Sequence, residues 1–191
     1  MITTIFYILM LLWLATEVFY KQRLSSNETD KKGKDKSSLN ILWVIIILSI
    51  SLSIFVSYIR FSTLALTIVK DQWIVYLGLI LIFTGILSRI FIVRSLGKYF
   101  TVDVTIRQDH KIKKDGFYSV LRHPSYAASL LTFLGLGLYL NNWLSLIIAC
   151  VPPFLAFSYR IAVEEKALVE QFGQDYLDYR KSTKKLIPYI Y

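Results

Sequence analysis

The chain has 191 residues, 55% of them apolar, and 22 Lys/Arg against 13 Asp/Glu leave it a net charge of +9. A basic soluble domain would suggest nucleic acid, but here the charges are segregated from long uncharged runs, at 1–16, 39–59, 72–88 and 124–159. Such runs argue for helices in lipid and against a nucleic-acid partner, and the lone Cys150 excludes an intramolecular disulfide or a multi-cysteine metal cluster.

The first span is expected near residues 2–20. No Lys or Arg precedes it and no small-x-small site follows before Lys21, so it reads as a retained span and not a cleaved signal. "SSNETDKKGKDKSS" (25–38) is charged, Ser-rich and free of apolar residues, the composition of a flexible linker; contact with anionic lipid is the alternative. A second span is expected at 40–59. "FSTLALTIV" (61–69) is apolar but too short to cross, and reads as a surface segment before a third span at 72–93. Arg89 and Arg94 then snorkel to the interface. In the loop that follows, "TVDVTIR" (101–107) alternates polar and apolar residues and suggests a short extended stretch, and "KKDG" (113–116) reads as a turn.

The run from Pro124 to Tyr159 holds 36 residues, too many for one span and too few for two complete ones. It divides at Asn141-Asn142 into spans at 124–140 and 143–163, joined as a tight hairpin. "GLG" (135–137) lies inside the fourth span, where small residues let helices approach closely. "EEKALVEQFGQDYLDYRK" (164–181) has near-helical apolar spacing, with an end or bend at Gly173. The expected architecture is all-α: a polytopic membrane protein of five transmembrane helices. Residues 1–94 hold the first three spans and the linker 21–39, and residues 95–191 the chemically suggestive half. Alternate connecting segments carry 20 and 2 Lys/Arg. The positive-inside rule therefore places the amino terminus outside and the linker, third loop and carboxy-terminal tail in the cytoplasm.

Two constellations carry chemistry. In "RHPSY" (122–126), Pro124 suits the first position of a helix and places His123 near the cap, where unpaired amides and the dipole attract an anion. The alternative makes Arg122 and His123 interface anchors. Arg160 and Glu164 lie four apart on one helical face where the uncharged run ends. A local salt bridge is one reading, although base before acid is the weaker order at this spacing. An ionisable residue at the membrane boundary with a functional task is the other. No G-x-G-x-x-G, no nucleotide-hydrolysing loop and no H-E-x-x-H is present, so neither a soluble-type dinucleotide fold nor a metal site is signalled.

"HKIKKDGFYSVLRHPSY" (110–126), then "RIAVEEKALVEQFGQDYLDY" (160–179) and "IP" at 187–188, resemble the isoprenylcysteine carboxyl methyltransferase family. Its running pattern is a histidine, G-x-Y, R-H-P-x-Y, E-E-x-x-L, F-G-x-x-Y and a late proline. The resemblance covers roughly 95–190. It implies a cytoplasmic S-adenosylmethionine pocket formed by the third loop and the tail, lined by His110, Lys111, Ile112, Lys113, Tyr118, His123, Pro124, Ser125, Tyr126 and Glu164. Asp103 aligns with a cofactor contact by distance only, and its residue type differs. Arg160 falls at the position near the methyl acceptor, which implies an acceptor-orienting, catalytic role. The implied activity is methyl transfer to the carboxylate of a lipid-like or lipidated, prenylcysteine-like acceptor that partitions with membrane lipids. Phospholipid N-methylation, whose family shares the R-H-P and E-E blocks, and a non-catalytic membrane protein or transporter subunit are the competing readings.

Overall fold

The computed structural model describes residues 1–23, 36–59, 66–97 and 112–191. Residues 25–35 of the expected linker and the alternating stretch 101–107 lie outside the described residues, as do Asp103, His110 and Lys111, while residues 36–38, read as linker, begin the second helix. Among the described residues six α-helices follow one another: α1 (Ile2–Arg23), α2 (Lys36–Tyr58), α3 (Trp73–Leu96), α4 (Pro124–Tyr139), α5 (Trp143–Phe172) and α6 (Gln174–Ser182), with a 3₁₀ turn at Gly116–Ser119 ahead of α4. Among the described residues, α1, α2, α3 and α5 are long and apolar enough to cross a membrane. α4 has 16 residues, fewer than the roughly 20 that a hydrocarbon core requires. The chain is an integral membrane protein with an all-helical fold.

The helices meet through stripes set by the 3.6-residue period. On α1, Phe6, Leu9, Trp13, Glu17 and Tyr20 are buried, while Leu11, Leu14 and Val18 are exposed on other faces. Leu42, Ile46, Ser49 and Ser53 form the corresponding stripe of α2, which packs on α5. Ser145 of α5 donates its hydroxyl to the Ser53 carbonyl at 2.8 Å. α3 packs chiefly on α4, and glycines set their spacing. A Cβ on Gly135 would lie 2.7 Å from the Gly78 carbonyl oxygen and 2.6 Å from the Ile82 nitrogen. One on Gly137 would lie 2.7 Å from the Leu146 Cα of α5. The two glycines of "GLG" thus serve two neighbours, one on each side of α4. Without a hydrophobic drive between helices in lipid, such close backbone packing is what holds them together.

The α4–α5 hairpin turns at the expected Asn-Asn pair. Asn141 has φ 48, a left-handed conformation that asparagine tolerates. Asn142 caps α5, its side chain accepting from the Ser145 amide at 3.0 Å. The described end of the apolar 61–69 segment lies against this turn: the Trp143 amide donates to the Leu66 carbonyl at 2.8 Å, and the Asn141 side-chain amide to the Val69 carbonyl at 2.8 Å.

α5 departs from expectation at its far end. The sequence places the end of the span at 163 and a stretch of near-helical apolar spacing after it, yet one helix runs for 30 residues to Phe172. At 1.5 Å per residue that is about 45 Å, longer than a hydrocarbon core of about 30 Å. The same helix therefore carries both the apolar span and the acidic pair Glu164-Glu165. Gly173, at φ 56, ends it and starts α6, as its position in the sequence suggested.

Candidate functional site

The first turn of α4, the far end of α5 and the tail after α6 converge. Pro124 occupies the start of α4 with His123 as its cap residue, and the His123 side chain makes no capping bond. The imidazole is turned instead into a buried ionic cluster. Nδ1 lies 3.5 Å from Glu164 Oε2 and Nε2 lies 3.4 Å from Glu165 Oε1. Consecutive glutamates project about 100° apart on a helix, so one imidazole inserted beside α5 meets both carboxylates with its two nitrogens.

Glu164 gathers the side of the cluster nearer the span. The Tyr126 hydroxyl donates to its Oε1, and Arg160, one turn earlier, donates to the same oxygen through Nε at 3.2 Å. Arg160 is 1% exposed, while its neighbour Tyr159 is 61% exposed. The guanidinium therefore points into the bundle and does not snorkel toward the surface. Phe157 packs on the Tyr126 ring with centroids 4.9 Å apart.

Glu165 gathers the other side. Arg122 donates to its Oε1 through Nε at 2.8 Å, and Arg180 of α6 approaches Oε2 at 3.7 Å. Arg122 also donates through Nη1 to the carbonyls of Arg180, at 3.1 Å, and Thr183. Backbone pairing completes the seam: the amides of Arg122 and His123 donate to the carbonyls of Lys184 and Lys185 at 2.7 and 3.1 Å, and the Lys184 amide returns a bond to Val120 at 3.1 Å. The Tyr179 hydroxyl donates to the Tyr118 carbonyl at 2.6 Å. The tail is thereby fastened to the segment that leads into α4.

Of the residues singled out from the sequence, His123, Tyr126, Arg160 and Glu164 are brought into direct contact. Pro124 starts the helix beneath them. The Ser125 hydroxyl accepts from Arg89 at 2.6 Å. Tyr118 is buried against Ile92 and Ala128. Lys113 pairs locally with Asp115 at 3.0 Å, and Ile112 is partly buried on the approach to the 3₁₀ turn. His110, Lys111 and Asp103 lie outside the described residues. The interface-anchor reading of Arg122 and His123 does not hold, because the His123 residue is 8% exposed and both side chains serve the acidic pair. Arg89 also departs from its snorkelling assignment: it pairs with Glu17 of α1, with side-chain exposures of 14% and 6%. Sequence reasoning passed over Glu165 as a site residue. Its signal was the doubled glutamate itself, matched against two bases in "RHP".

His123 carries a pH consequence. Burial disfavours the charged imidazole, but hydrogen bonds to Glu164 and Glu165 outweigh it, and the group titrates above its ordinary value. A raised native value stabilises the fold fully below the unfolded value of about 6.5 and loses that contribution as pH climbs through the raised one. The unfolding temperature should therefore fall as pH rises from there. In His123→Asn the fall should be absent, and a flat wild-type profile would contradict the arrangement.

The sequence profile of the phospholipid methyltransferase family matches residues 73–175, from the start of α3 to the start of α6. The chain belongs to this family. Within it, the chain is similar to protein-S-isoprenylcysteine O-methyltransferase B of Arabidopsis thaliana, at 32% identity over 63% of this chain and 62% of that protein. It is also similar to protein-S-isoprenylcysteine O-methyltransferase of Saccharomyces cerevisiae, at 37% identity over 60% and 48%. Among solved structures it is similar to a eukaryotic intramembrane Ras methyltransferase, an isoprenylcysteine carboxyl methyltransferase, with a TM-score of 0.64, 27% identity, and coverage of 85% of this chain and 56% of that one. The resemblance read from 110–126 and 160–179 is thus borne out. This family member spans about half to two-thirds of the length of those relatives.

Proposed function

We propose that this protein is an S-adenosylmethionine-dependent carboxyl O-methyltransferase whose acceptor is a membrane-partitioned, prenylcysteine-like molecule. The observation that carries the reading is Arg160: a fully buried guanidinium, tied by Nε to the same Glu164 oxygen that receives the Tyr126 hydroxyl. It sits 17 residues along α5 from Trp143, about 25 Å at helical rise, near the depth where an apolar anchor would present its polar end.

The donor set suits the cofactor. Glu164, with 22% of its side chain exposed, offers a carboxylate to a cationic ligand, and the Tyr176 hydroxyl is buried without a hydrogen-bond partner among the described residues. A buried polar group of that kind calls for a partner. Burial and then Glu165 push its phenol upward, which keeps it a neutral donor. When bound, the cofactor supplies an electrophilic methyl group on a sulfonium, whose sulfur keeps the bonding electrons as a neutral thioether. His123, Tyr126 and Glu164 hold that ligand in the reading proposed here. Arg160 receives the acceptor carboxylate. Its Nε bond to Glu164 fixes the plane of the guanidinium, and a planar fork can orient a carboxylate through two parallel hydrogen bonds. The carboxylate is already a nucleophile, so the residues need only position it and exclude water. Phe157 and Phe133, in contact beside Tyr126, supply an apolar wall.

An amine acceptor, as in phospholipid N-methylation, arrives protonated at neutral pH, and a guanidinium repels that cation while it attracts a carboxylate. Arg160 therefore tilts the reading toward a carboxylate. The test uses purified protein in lipid nanodiscs, measuring S-adenosylmethionine binding by calorimetry and then transfer of labelled methyl. Farnesylcysteine analogues with a free carboxylate should gain base-labile methyl. Label in phosphatidylethanolamine, or none in the prenylcysteine analogue, would overturn the acceptor assignment.

The same reading places the site on the cytoplasmic side of a five-span protein, with α4 and α5 as the last two spans. The 20-to-2 charge asymmetry supports it. Opposite ends of the bundle hold the Asn141 turn and the His123 cluster. A cysteine replacing Asn141 should be labelled only from outside and one in the tail only from the cytoplasm; labelling of both from one side would refute this topology.

A further inference from the structure

Arg89 holds together three elements at the end of the bundle where His123 lies. It donates to both oxygens of Glu17, through Nε to Oε1 and through Nη2 to Oε2 at 2.8 Å. Its remaining terminal nitrogen, Nη1, donates to the Ser125 hydroxyl oxygen at 2.6 Å and to the Ser125 carbonyl at 3.2 Å. Glu17 belongs to the buried stripe of α1, 5% exposed. α1 thereby delivers a carboxylate to the seam between α3 and α4.

As a fastener this pair is a poor choice. Two charges lose their hydration on burial, and a well-packed apolar pair of similar volume is often as stable or more so. α3 and α4 are in any case already in backbone contact through Gly78 and Gly135. What an apolar pair cannot do is grip Ser125. That residue lies in the first turn of α4, between His123 and Tyr126, and its carbonyl also accepts the Ser129 hydroxyl at 3.2 Å. The five N–H groups of a guanidinium in one rigid plane can serve a carboxylate on one edge and a helix turn on the other.

We propose that Glu17 and Arg89 are a positioning pair: Glu17 fixes the guanidinium so that Nη1 holds Ser125, and this sets the first turn of α4 that presents His123 and Tyr126 to Glu164. The inference deepens the proposed function and rests on it for its activity readouts, while its structural readout stands alone. It also gives the first helix, which carries no family motif, a part in the site.

The test uses the full chain in nanodiscs and three variants: Glu17→Leu/Arg89→Leu, the exchanged pair Glu17→Arg/Arg89→Glu, and Arg89→Lys. Unfolding temperature reports the fold, hydrogen exchange of the amides in 122–127 (all but Pro124, which has none) reports the turn, and calorimetry reports S-adenosylmethionine affinity. The double leucine variant should melt close to wild type, while exchange at 122–127 accelerates at least tenfold and affinity falls at least fivefold. The exchanged pair restores opposite charges but places a carboxylate, which has no N–H, opposite the Ser125 carbonyl. It should likewise melt close to wild type, without recovering slow exchange or affinity. If the exchanged pair shows wild-type exchange and affinity, the pair only joins α1 to α3 and the proposal is wrong. Should either double variant fail to fold, Arg89→Lys decides: it keeps the charge on Glu17 but lacks the fork, so wild-type exchange at 122–127 in that variant would overturn the proposal. Wild-type protein that binds no S-adenosylmethionine would sink the proposed function, and the exchange data would still decide the pairing.

Discussion

Arg160→Lys should lower methyl transfer by about two orders of magnitude, since a displacement of about 1 Å in a positioning group carries that penalty. Lysine keeps the positive charge beside Glu164 but loses Nε and the planar fork. In the native site Nε is bonded to Glu164 Oε1 at 3.2 Å, so the guanidinium's plane is set before any acceptor arrives. The lysine ammonium can pair with Glu164 but carries no second edge in a fixed direction. S-adenosylmethionine affinity should change less than tenfold, because Glu164 retains a cation and the Tyr126 hydroxyl. The measurement pairs calorimetric binding with single-turnover methyl transfer to a prenylcysteine analogue. Normal transfer in Arg160→Lys, or equal loss of cofactor and acceptor, would show that Arg160 does not orient the acceptor.

Glu165→Ala should destabilise the fold by about 3–5 kcal/mol, the usual cost of removing one member of a buried ion pair. The Arg122 and Glu165 side chains are 8% and 7% exposed, with Nε and Oε1 2.8 Å apart. Alanine would leave Arg122 buried with only the carbonyls of Arg180 and Thr183, and His123 with Glu164 alone. Removing Arg122 as well should recover part of the loss, because the stranded charge is then gone. Denaturant melts of the two single variants and the double variant measure that coupling. Limited proteolysis should cut the variant faster after Phe172, where Gly173 ends α5 and the tail depends on the Arg122 seam. An additive double variant would mean that the two side chains do not support one another.

Much of the helical framework was legible because it depends on local rules. Uncharged runs marked the helices, since a charge in lipid is costly wherever it lies. Pro124 marked a helix start because a first helical residue needs no amide hydrogen, and Asn141-Asn142 marked a turn. Gly173 marked an end, confirmed by its positive φ. The family was legible too, because the R-H-P and E-E blocks are contiguous strings. The boundary of α5 was less so. Hydropathy reports where the apolar run stops, but a helix continues as long as its backbone bonds and docking partners do, and Glu165, Tyr176 and the tail keep it ordered.

What the sequence determined by itself is therefore a membrane protein of apolar helices with an R-H-P block, an Arg160–Glu164 face and a likeness to carboxyl methyltransferases. Only the tertiary structure decided which charges meet. Arg89 had every local reason to snorkel, and its pairing with Glu17 joins residues 72 positions apart. Arg122 had every reason to anchor at the interface, and it reaches Glu165, 43 positions away. His123 could have capped its own helix, but packing α4 beside α5 offered two carboxylates to its two ring nitrogens. The physical reason is common to all three. A charged side chain excluded from water takes the strongest partner that the packing brings within reach, and hydropathy and spacing carry no record of which helix faces stand opposite one another.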